Sequence, residues 1–275
     1  MDHHEMPDEQ RLEDTERAFV AIWSRFCGAW PRGELHERAG LTWFATPIRH
    51  LPYNGVIRTR MDALDEALVG DVLASYRERG VQCFWALHTL STPAGLREVL
   101  LAQGLAQVEA MTCMALDLGG WSAPSLPEGV VIEEVRDEGG LGTYTELTLG
   151  YWEIPAEDAA LVAELHGHYG PRPDFGVRYL ARVDGDVVGK GFLCLDAGAP
   201  GLGAIYGMSV RPRARGRGVA GALTTTMLAR ARDEGHRRMV LHSSEMAVGV
   251  YARAGFAPCG ELDVYATAPL WSADH

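Results

Sequence analysis

The chain has few of the features that mark secreted, membrane or metal-binding proteins. Its five cysteines are odd in number and scattered, with no C-x-x-C pair, which argues against a disulfide framework and against a zinc site. No apolar run approaches the length of a membrane span, and residues 1–17 are polar and acidic, without a signal-peptide core. We therefore expect a cytoplasmic protein with no metal and no membrane partner.

Positive charge is scarce as well. Lysine and arginine together number 25 against 37 acidic residues, which leaves a formal net charge of -12. This balance disfavours nucleic acid as a partner and mildly favours cationic amines as substrates. Apolar residues are plentiful: 47% of the 275 residues are hydrophobic, enough for one large or two ordinary domains with buried cores.

One segment departs from this acidic composition. An apolar run over residues 204–210 leads into a loop, and an Ala-rich helical pattern begins near Val219. Glycines in the loop let the backbone approach a ligand closely, and the first amides of the helix and its positive dipole end face the same place. The loop therefore predicts a site for an anion such as a diphosphate. Its residues are Arg211, Arg213, Arg215, Gly216, Arg217 and Gly218.

Three interpretations of this loop compete. Its glycines also fit the G-x-G-x-x-G dinucleotide fingerprint, but that turn normally follows the first strand of a domain, and residues 222–275 are too few for the units that come after it. The loop could also be an RNA-binding arginine/glycine tract or a merely solvated loop. Such tracts lack ordered flanks, whereas this loop lies between a strand pattern and a helix pattern. The third interpretation uses a second pattern downstream, in which Tyr251 precedes the pair Gly255-Phe256 by four residues.

The two patterns together resemble the signatures of the GNAT acetyltransferase superfamily. Arg213-x-x-Gly216-x-Gly218 after a strand is similar to the family's pyrophosphate-binding motif for acetyl-CoA, and the resemblance extends over roughly residues 128–268. It implies acetyl-CoA as co-substrate, with the diphosphate on the loop and helix start and the pantetheine on the preceding strand. The implied contacts are Met208, Ser209, Val210, Arg213, Arg215, Gly216, Arg217, Gly218, Val219, Ala220 and Ser244, the last where the family often has Asn.

Acetyl transfer to an amine needs a neutral amine, stabilisation of the carbonyl oxygen and a proton for the departing thiolate. Gly207 lies inside an otherwise good strand, where glycine commonly marks a bulge that re-aims backbone N–H groups toward such an oxygen. Tyr251 is the predicted general acid, with packing against the sheet as the alternative role.

The base is less well defined by the sequence. Tyr206, four residues before Val210, stands where some superfamily members carry a His or Glu, and a phenol is a poor base at neutral pH unless it relays through water. His242 and Glu245 are alternatives. No base is needed if water suffices.

The chain divides at a linker-like stretch into residues 1–122 and 128–275. The second part predicts the strand and helix order of the GNAT fold, including a hairpin at Asp184-Gly185. The first part echoes that order weakly but has the acidic segment 59–65 in place of the loop and no equivalent tyrosine. We therefore expect an α/β protein of two GNAT-like domains, each a mixed, mostly antiparallel sheet flanked by helices, similar to tandem members of the mycothiol synthase type. An unrelated helical cap is the alternative for the first domain.

The resemblance implies an N-acetyltransferase, a kind of acyltransferase, that acts on a small-molecule amine as a monomer or homodimer. The first domain would be non-catalytic and the second catalytic. Aromatic loops at residues 151–155 and 166–171 are candidates for the acceptor pocket, with ordinary helix-end packing as the alternative. A protein-lysine acetyltransferase and a non-catalytic acyl-CoA sensor remain open.

Overall fold

The computed structural model describes residues 8–269. The first half forms α1 (Asp8–Trp23), β1 (Glu34–Arg38), β2 (Leu41–Ala45), β3 (Gly55–Thr59), α2 (Glu66–Arg79), β4 (Phe84–His88), α3 (Leu96–Ala102) and β5 (Ala106–Asp117). The second half forms β6 (Val130–Glu134), α4 (Glu138–Tyr151), α5 (Ala156–His168), β7 (Gly176–Val183), β8 (Asp186–Cys194), β9 (Leu202–Val210), α6 (Val219–Asp233), β10 (Arg238–Ser243), α7 (Val248–Arg253) and β11 (Ala257–Ala266).

Turn residues end these elements where the sequence predicts. Asp184 and Gly185 join β7 to β8 with φ of 53° and 85°, which confirms the predicted hairpin and the left-handed backbone its turn needs. Gly235, at φ 87°, stands just beyond α6 and confirms the predicted helix stop. Within residues 8–269, none of the helices combines the length and apolar character that crossing a membrane requires.

All strands join one sheet in the order β1-β2-β3-β4-β11-β5-β10-β9-β8-β7-β6. Only the β3–β4 and β9–β10 pairs are parallel, so the predicted mixed, mostly antiparallel sheet is confirmed. The sheet is continuous across the two halves because each half places its last strand beside the other: β11 lies between β4 and β5, and β5 lies between β11 and β10. The proposed division between residues 122 and 128 falls in a segment without helix or strand.

Helices α1 and α6 each cover part of this sheet. The predicted apolar stripe of α6 is buried, with Val219, Leu223 and Met227 at most 1% exposed, because i, i+4 and i+8 positions share one helix face. Helix α1 lies on strands of both halves and buries Asp14, which pairs with Arg238 of β10 at 2.6 Å. Sequence analysis did not predict α1, β1 or β2. The polar residues that α1 buries find partners both within the helix, as Asp14 does with Gln10 and Arg17, and on distant strands.

Candidate active site

Strands β9 and β10 separate toward their carboxyl ends. Their parallel pairing runs from Leu202 opposite Arg238 to Ala204 opposite Val240 and then stops, although β9 continues for six residues and β10 for three. Beyond Ala204 the edge of β9 that faces β10 therefore has no strand partner within residues 8–269. Unpaired backbone N–H and C=O groups along such an edge can bond an extended, amide-containing ligand in the cleft between the strands.

A β-bulge interrupts β9 in this cleft. Gly207 and Met208 together stand opposite Gly191 of β8, since the register shifts between Ser209 and Tyr206. Gly207 has φ 58°, a left-handed backbone that favours glycine. The bulge predicted from the sequence is confirmed, and it lies in the unpaired part of β9.

The loop after β9 is shaped to receive an anion at the start of α6. A single 3₁₀ turn, Pro212–Ala214, is followed by Gly216 at φ 76° and Gly218 at φ 80°. Gly218 is the residue before α6 and provides no side-chain cap, so the first N–H groups of the helix stay available for a ligand. A Cβ at Gly218 would lie 3.0 Å from Pro127, so both the backbone and the space require glycine here. The features present fit a diphosphate.

Only some of the loop arginines are available to it. Arg213 pairs with Asp186 at 3.0 Å and Arg217 pairs with Asp184 at 2.9 Å. Both acids belong to the β7–β8 hairpin, 27 and 33 residues away in sequence. Among residues 8–269, no carboxylate lies within ion-pair distance of the remaining pair, Arg211 and Arg215. The spacing of the arginines could not indicate this division, because it depends on where the hairpin folds.

Tyr251 lies on α7 at 6% exposure, in edge-to-face contact with Phe256 at 6.0 Å between ring centroids. Burial raises the pKa of its phenol above the ordinary value of 10, and Tyr151 adds to that rise. The pKa of Tyr151 is raised by burial and by Glu109 and lowered by Arg215. Tyr251, Tyr151 and the loop are therefore close enough to influence one another, which brings one predicted acceptor loop beside the predicted acid.

Tyr206 and His242 face each other across the start of the cleft. Their rings stack with centroids 6.1 Å apart at 25°. The Tyr206 hydroxyl and both His242 ring nitrogens are shielded from solvent and have no hydrogen-bond partner among the described residues. Burial raises the pKa of Tyr206 well above 10 and, together with His88, lowers that of His242 to about 3. Both groups are neutral at pH 7. The alternative base Glu245 is exposed in the turn after β10.

His242 also belongs to a buried cluster with His88 and Cys113, whose donor atoms lie within 4.8 Å of one another. Burial lowers the pKa of His88 to about 4 and raises that of Cys113 to about 12. The Thr15 hydroxyl of α1 is 2.9 Å from His88 Nε2, so His88 already has a partner and His242 is the member with unpaired nitrogens. Sequence analysis considered only His242, because His88 of β4 and His242 of β10 approach each other only across the exchanged strands β11 and β5, which lie between them.

A lysine beneath the bulge was missed by sequence analysis. Lys190 of β8 is 2% exposed and donates a hydrogen bond from Nζ to the Gly207 carbonyl oxygen at 2.9 Å. Burial and then repulsion by Arg178 lower its pKa from 10.5 to about 7. The composition of the chain does single out this residue, because there is one lysine against 24 arginines.

The first half of the chain borders both loops predicted for the acceptor. His50 lies 3.1 Å from the Trp152 carbonyl oxygen. Tyr169 stacks on Phe26 at 5.7 Å. Ser244, expected near the pantetheine, is half-buried at the end of β10.

Concave surfaces also occur away from the loop. A pocket with a volume of about 670 Å³ is lined by residues 39–40 and 60–66 of the first half. Another, of about 430 Å³, lies beside Trp121 and Gly255. Neither is lined by residues 211–218, so the geometry of the cleft and loop, rather than the size of a cavity, identifies the candidate site.

Comparison with known families and proteins gives a consistent result. The model of the Acetyltransferase (GNAT) family matches residues 143–256. A mycothiol acetyltransferase of Cellulomonas flavigena is 31% identical over 196 residues, which cover 65% of this chain and 56% of that protein. A mycothiol acetyltransferase of Streptomyces avermitilis is 28% identical over 180 residues, covering 63% of this chain and 57% of that protein. The chain thus spans little more than half the length of these relatives.

Solved structures resemble the whole chain. A GCN5-related N-acetyltransferase from Kribbella flavida superposes with a TM-score of 0.66 at 19% identity, over 90% of this chain and 95% of that one. A tandem GNAT protein from the clavulanic acid biosynthesis pathway superposes with a TM-score of 0.59 at 15% identity, over 97% of both chains. These likenesses establish the fold: a tandem arrangement that includes the first half.

Proposed function

We propose that the chain is a member of the GNAT acetyltransferase superfamily and an N-acetyltransferase that moves an acetyl group from acetyl-CoA directly to the amine of a small molecule. One observation carries this proposal: the unpaired edge of β9 leads straight into a glycine-bounded, uncapped start of α6. Coenzyme A has an extended pantetheine arm with a diphosphate at its end. The unpaired edge of β9 and the start of α6 follow each other in the same order along the protein chain.

We assign cofactor binding to this surface. The main chain of Met208, Ser209 and Val210 bonds the pantetheine amides, and Ser244 approaches the same arm from the end of β10. The first amides of α6, at Val219 and Ala220, bind the diphosphate between Gly216 and Gly218. Arg215 adds charge there because no carboxylate among residues 8–269 neutralises it, whereas Arg213 and Arg217 mainly fasten the loop to the β7–β8 hairpin.

Tyr251 donates the proton that the departing thiolate needs. Its raised pKa keeps the phenol protonated at neutral pH, but it also makes the proton harder to give up. Burial acts on a thiol in the same direction, as the raised pKa of about 12 of buried Cys113 illustrates. A thiolate that forms in this desolvated cleft is therefore basic enough to take the proton, because the cleft raises both pKa values together.

The amine must lose a proton before or during attack. Tyr206 and His242 are the groups positioned for this, as a stacked pair whose polar atoms have no partner among the described residues. The neutral His242 ring can accept a hydrogen bond from an amine or a bridging water, and Tyr206 can relay it. This assignment predicts that the pair becomes hydrogen-bonded only when the acceptor binds.

The acceptor class follows from the first half of the chain. The contacts of His50 with the 151–155 loop and of Phe26 with Tyr169 close one side of the predicted acceptor region, which favours a small molecule over a protein lysine on an extended segment. Two relatives are named mycothiol acetyltransferase, and we propose a small-molecule amine for this chain too. In this arrangement residues 1–122 shape the pocket and residues 128–275 carry the chemistry, in a monomer or homodimer.

The proposal is tested by calorimetry and thiol release with the purified chain. Saturable binding of acetyl-CoA, followed by release of CoA with members of a small-amine panel, is the expected result. Binding without CoA release from any amine would indicate an acyl-CoA sensor instead. Release with lysine-containing peptides but not with small amines would indicate a protein acetyltransferase. No binding would remove the basis of the proposal.

A further inference from the structure

The only lysine of the chain lies in an unusual position. The other 24 basic residues are arginines, yet Lys190 is 2% exposed, under α4 and beside the bulge of β9. Arginine stays charged wherever it is placed, whereas lysine can lose its proton when buried. The one lysine of the chain, whose side chain can lose its proton, therefore lies next to the candidate reaction site.

The groups around Lys190 do not neutralise it. Tyr144 of α4 presents its ring 4.7 Å from Nζ. The Arg178 guanidinium of β7 lies 5.7 Å from the centroid of the same ring, and the buried His166 of α5 is close enough for both cations to lower its pKa. Within residues 8–269, no carboxylate pairs with Lys190. The charge is thus held at a cost to stability, because burial and a like charge both oppose it.

The hydrogen bond that Lys190 makes has a geometric consequence. Nζ holds the carbonyl oxygen of Gly207, the first residue of the bulge. In a planar trans peptide the C=O and the following N–H point in opposite directions. Holding the Gly207 carbonyl toward Lys190 Nζ therefore directs the Met208 N–H away from Nζ. A side chain at position 207 would meet the Tyr144 hydroxyl, which lies 3.3 Å from where its Cβ would be, so the bulge packs closely beneath α4.

We propose that Lys190 is a positioning residue for acetyl transfer: it holds the Gly207 carbonyl so that the Met208 N–H points into the cleft and binds the acetyl carbonyl oxygen. The inference rests on the proposed function and assigns a group that acts through the backbone. A preorganised N–H aimed at developing negative charge stabilises the transition state far more than the ground state. Lys190 contributes this at the expense of folding stability, a trade-off often found at functional sites.

The test compares the wild-type chain with Lys190→Met, which keeps the length of the side chain and removes the donor and the charge. Acetyl-CoA and CoA differ in the acetyl group, so the ratio of their Kd values reports on the carbonyl contact. We expect the Met variant to lose the preference for acetyl-CoA by about 2–10-fold, the range of one hydrogen bond. We also expect the rate of CoA release to fall about 100-fold, whether the acetyl group is transferred to an amine from the panel or to water by slow hydrolysis.

Stability separates this role from a structural one. A merely structural lysine would leave a weaker fold when removed, whereas we expect Lys190→Met to melt at least about 2 °C higher at pH 7. The pKa of about 7 lies below the unfolded value of 10.5, so the unfolded chain binds more protons between these values and wild-type stability rises with pH across that window. The Met variant lacks this rise, and the difference in Tm shrinks from pH 7 to pH 9.

Two controls complete the experiment. Tyr144→Phe keeps the ring beneath Nζ and should leave the Kd ratio unchanged. Because there is one lysine, [15N]lysine labelling gives a single side-chain signal, which we expect to shift with acetyl-CoA and much less with CoA. An unchanged Kd ratio and release rate in Lys190→Met, or a variant that fails to fold, would overturn the inference. Failure of the wild type to bind either ligand would instead overturn the proposed function.

Discussion

The two halves of the chain build the same strand-turn-helix-strand unit and give its turn opposite chemistry. In the first half, Asp65 is the residue before α2 and its carboxylate accepts a hydrogen bond from the Leu68 N–H at 2.9 Å. In the second half, Gly218 holds that position before α6 and leaves the amides free. A carboxylate at a helix start accepts hydrogen bonds from the first amides, as a bound phosphate would. The first turn therefore supplies its own acceptor, and the second turn supplies none.

The difference extends to the residues around the turns. The concave surface of the first half is lined by Asp62, Asp65 and Glu66, which would repel a diphosphate. At the end of β3, Arg60 forms a two-pronged pair with Glu16 of α1 at 2.8 and 3.0 Å. In the first half, the charged groups near the turn therefore bond to groups of the same half: Arg60 to Glu16, and Asp65 to the start of α2. The comparison teaches that the two turns differ mainly in whether a side chain caps the helix that follows, and only the second leaves that position open to a ligand.

The largest effect should come from giving the second turn the chemistry of the first. Gly218→Asp supplies a side-chain cap to α6, conflicts with φ 80° and the nearby Pro127, and adds charge where phosphate would bind. We expect acetyl-CoA affinity to fall at least about 100-fold, since several charge-assisted hydrogen bonds are lost together. Calorimetry measures this, with circular dichroism to check folding. The matched change Asp65→Gly should leave affinity unaltered; intact binding by Gly218→Asp would place the phosphates elsewhere.

The second comparison concerns the helix before the glycine turn. Tyr251 lies four residues before Gly255, and Leu100, fully buried, lies four before Gly104. Tyr251→Phe makes the second half resemble the first, and kcat for CoA release should fall about 10–100-fold with Kd for acetyl-CoA within twofold. Tyr179→Phe, another buried tyrosine of the same core, is the control and should change neither. Equal kcat values for the two variants would assign Tyr251 to packing.

A smaller effect should distinguish the loop arginines. Arg215→Gln should weaken acetyl-CoA about tenfold, the range for a charge-assisted hydrogen bond, and the loss should shrink at high salt because exposed charges are screened. Arg213→Gln removes a guanidinium that is already paired with Asp186 and should cost only about threefold. Titrations at low and high ionic strength measure both. A larger loss from Arg213 than from Arg215 would reverse the assignment.

The smallest effect on the cofactor should come from the charged pair of the first half. Glu16→Gln breaks the two-pronged pair with Arg60 and should reduce the free energy of unfolding by about 1–2 kcal/mol without changing acetyl-CoA affinity. Urea denaturation and calorimetry give the two values. Glu13→Gln, on the exposed side of α1 at 3.9 Å from Arg17, should change neither. A loss of affinity in Glu16→Gln would show that the first half takes part in cofactor binding.

Much of the fold and part of the candidate site could be predicted from sequence. Glycines at a bulge, a hairpin and a helix end are local requirements of the backbone, and Gly207, Gly185 and Gly235 were predicted on that basis and are confirmed. The helix α1 could not be predicted. It buries Asp14 and Glu16, and the arginines that pair with them from other elements, Arg238 and Arg60, are far away in sequence.

The histidines show the same limit. Leu87-His88 ends β4 and Leu241-His242 lies one residue before the end of β10, yet nothing in the order of residues brings the two histidine rings to 6.4 Å. The exchange of β5 and β11 does so, by joining the two halves into one sheet. Strand exchange depends on pairings between segments more than a hundred residues apart, for which local patterns carry no information.

By itself the sequence determined the turn chemistry: which positions need glycine, which helix has an apolar stripe and which helix begins without a capping side chain. These properties arise from neighbours along the chain. Only the tertiary structure decided which arginines stay unpaired, why the single lysine has a pKa of about 7 and which half keeps an open helix start beside an unpaired strand. Charge pairing and desolvation depend on distance and burial, and the fold alone sets both.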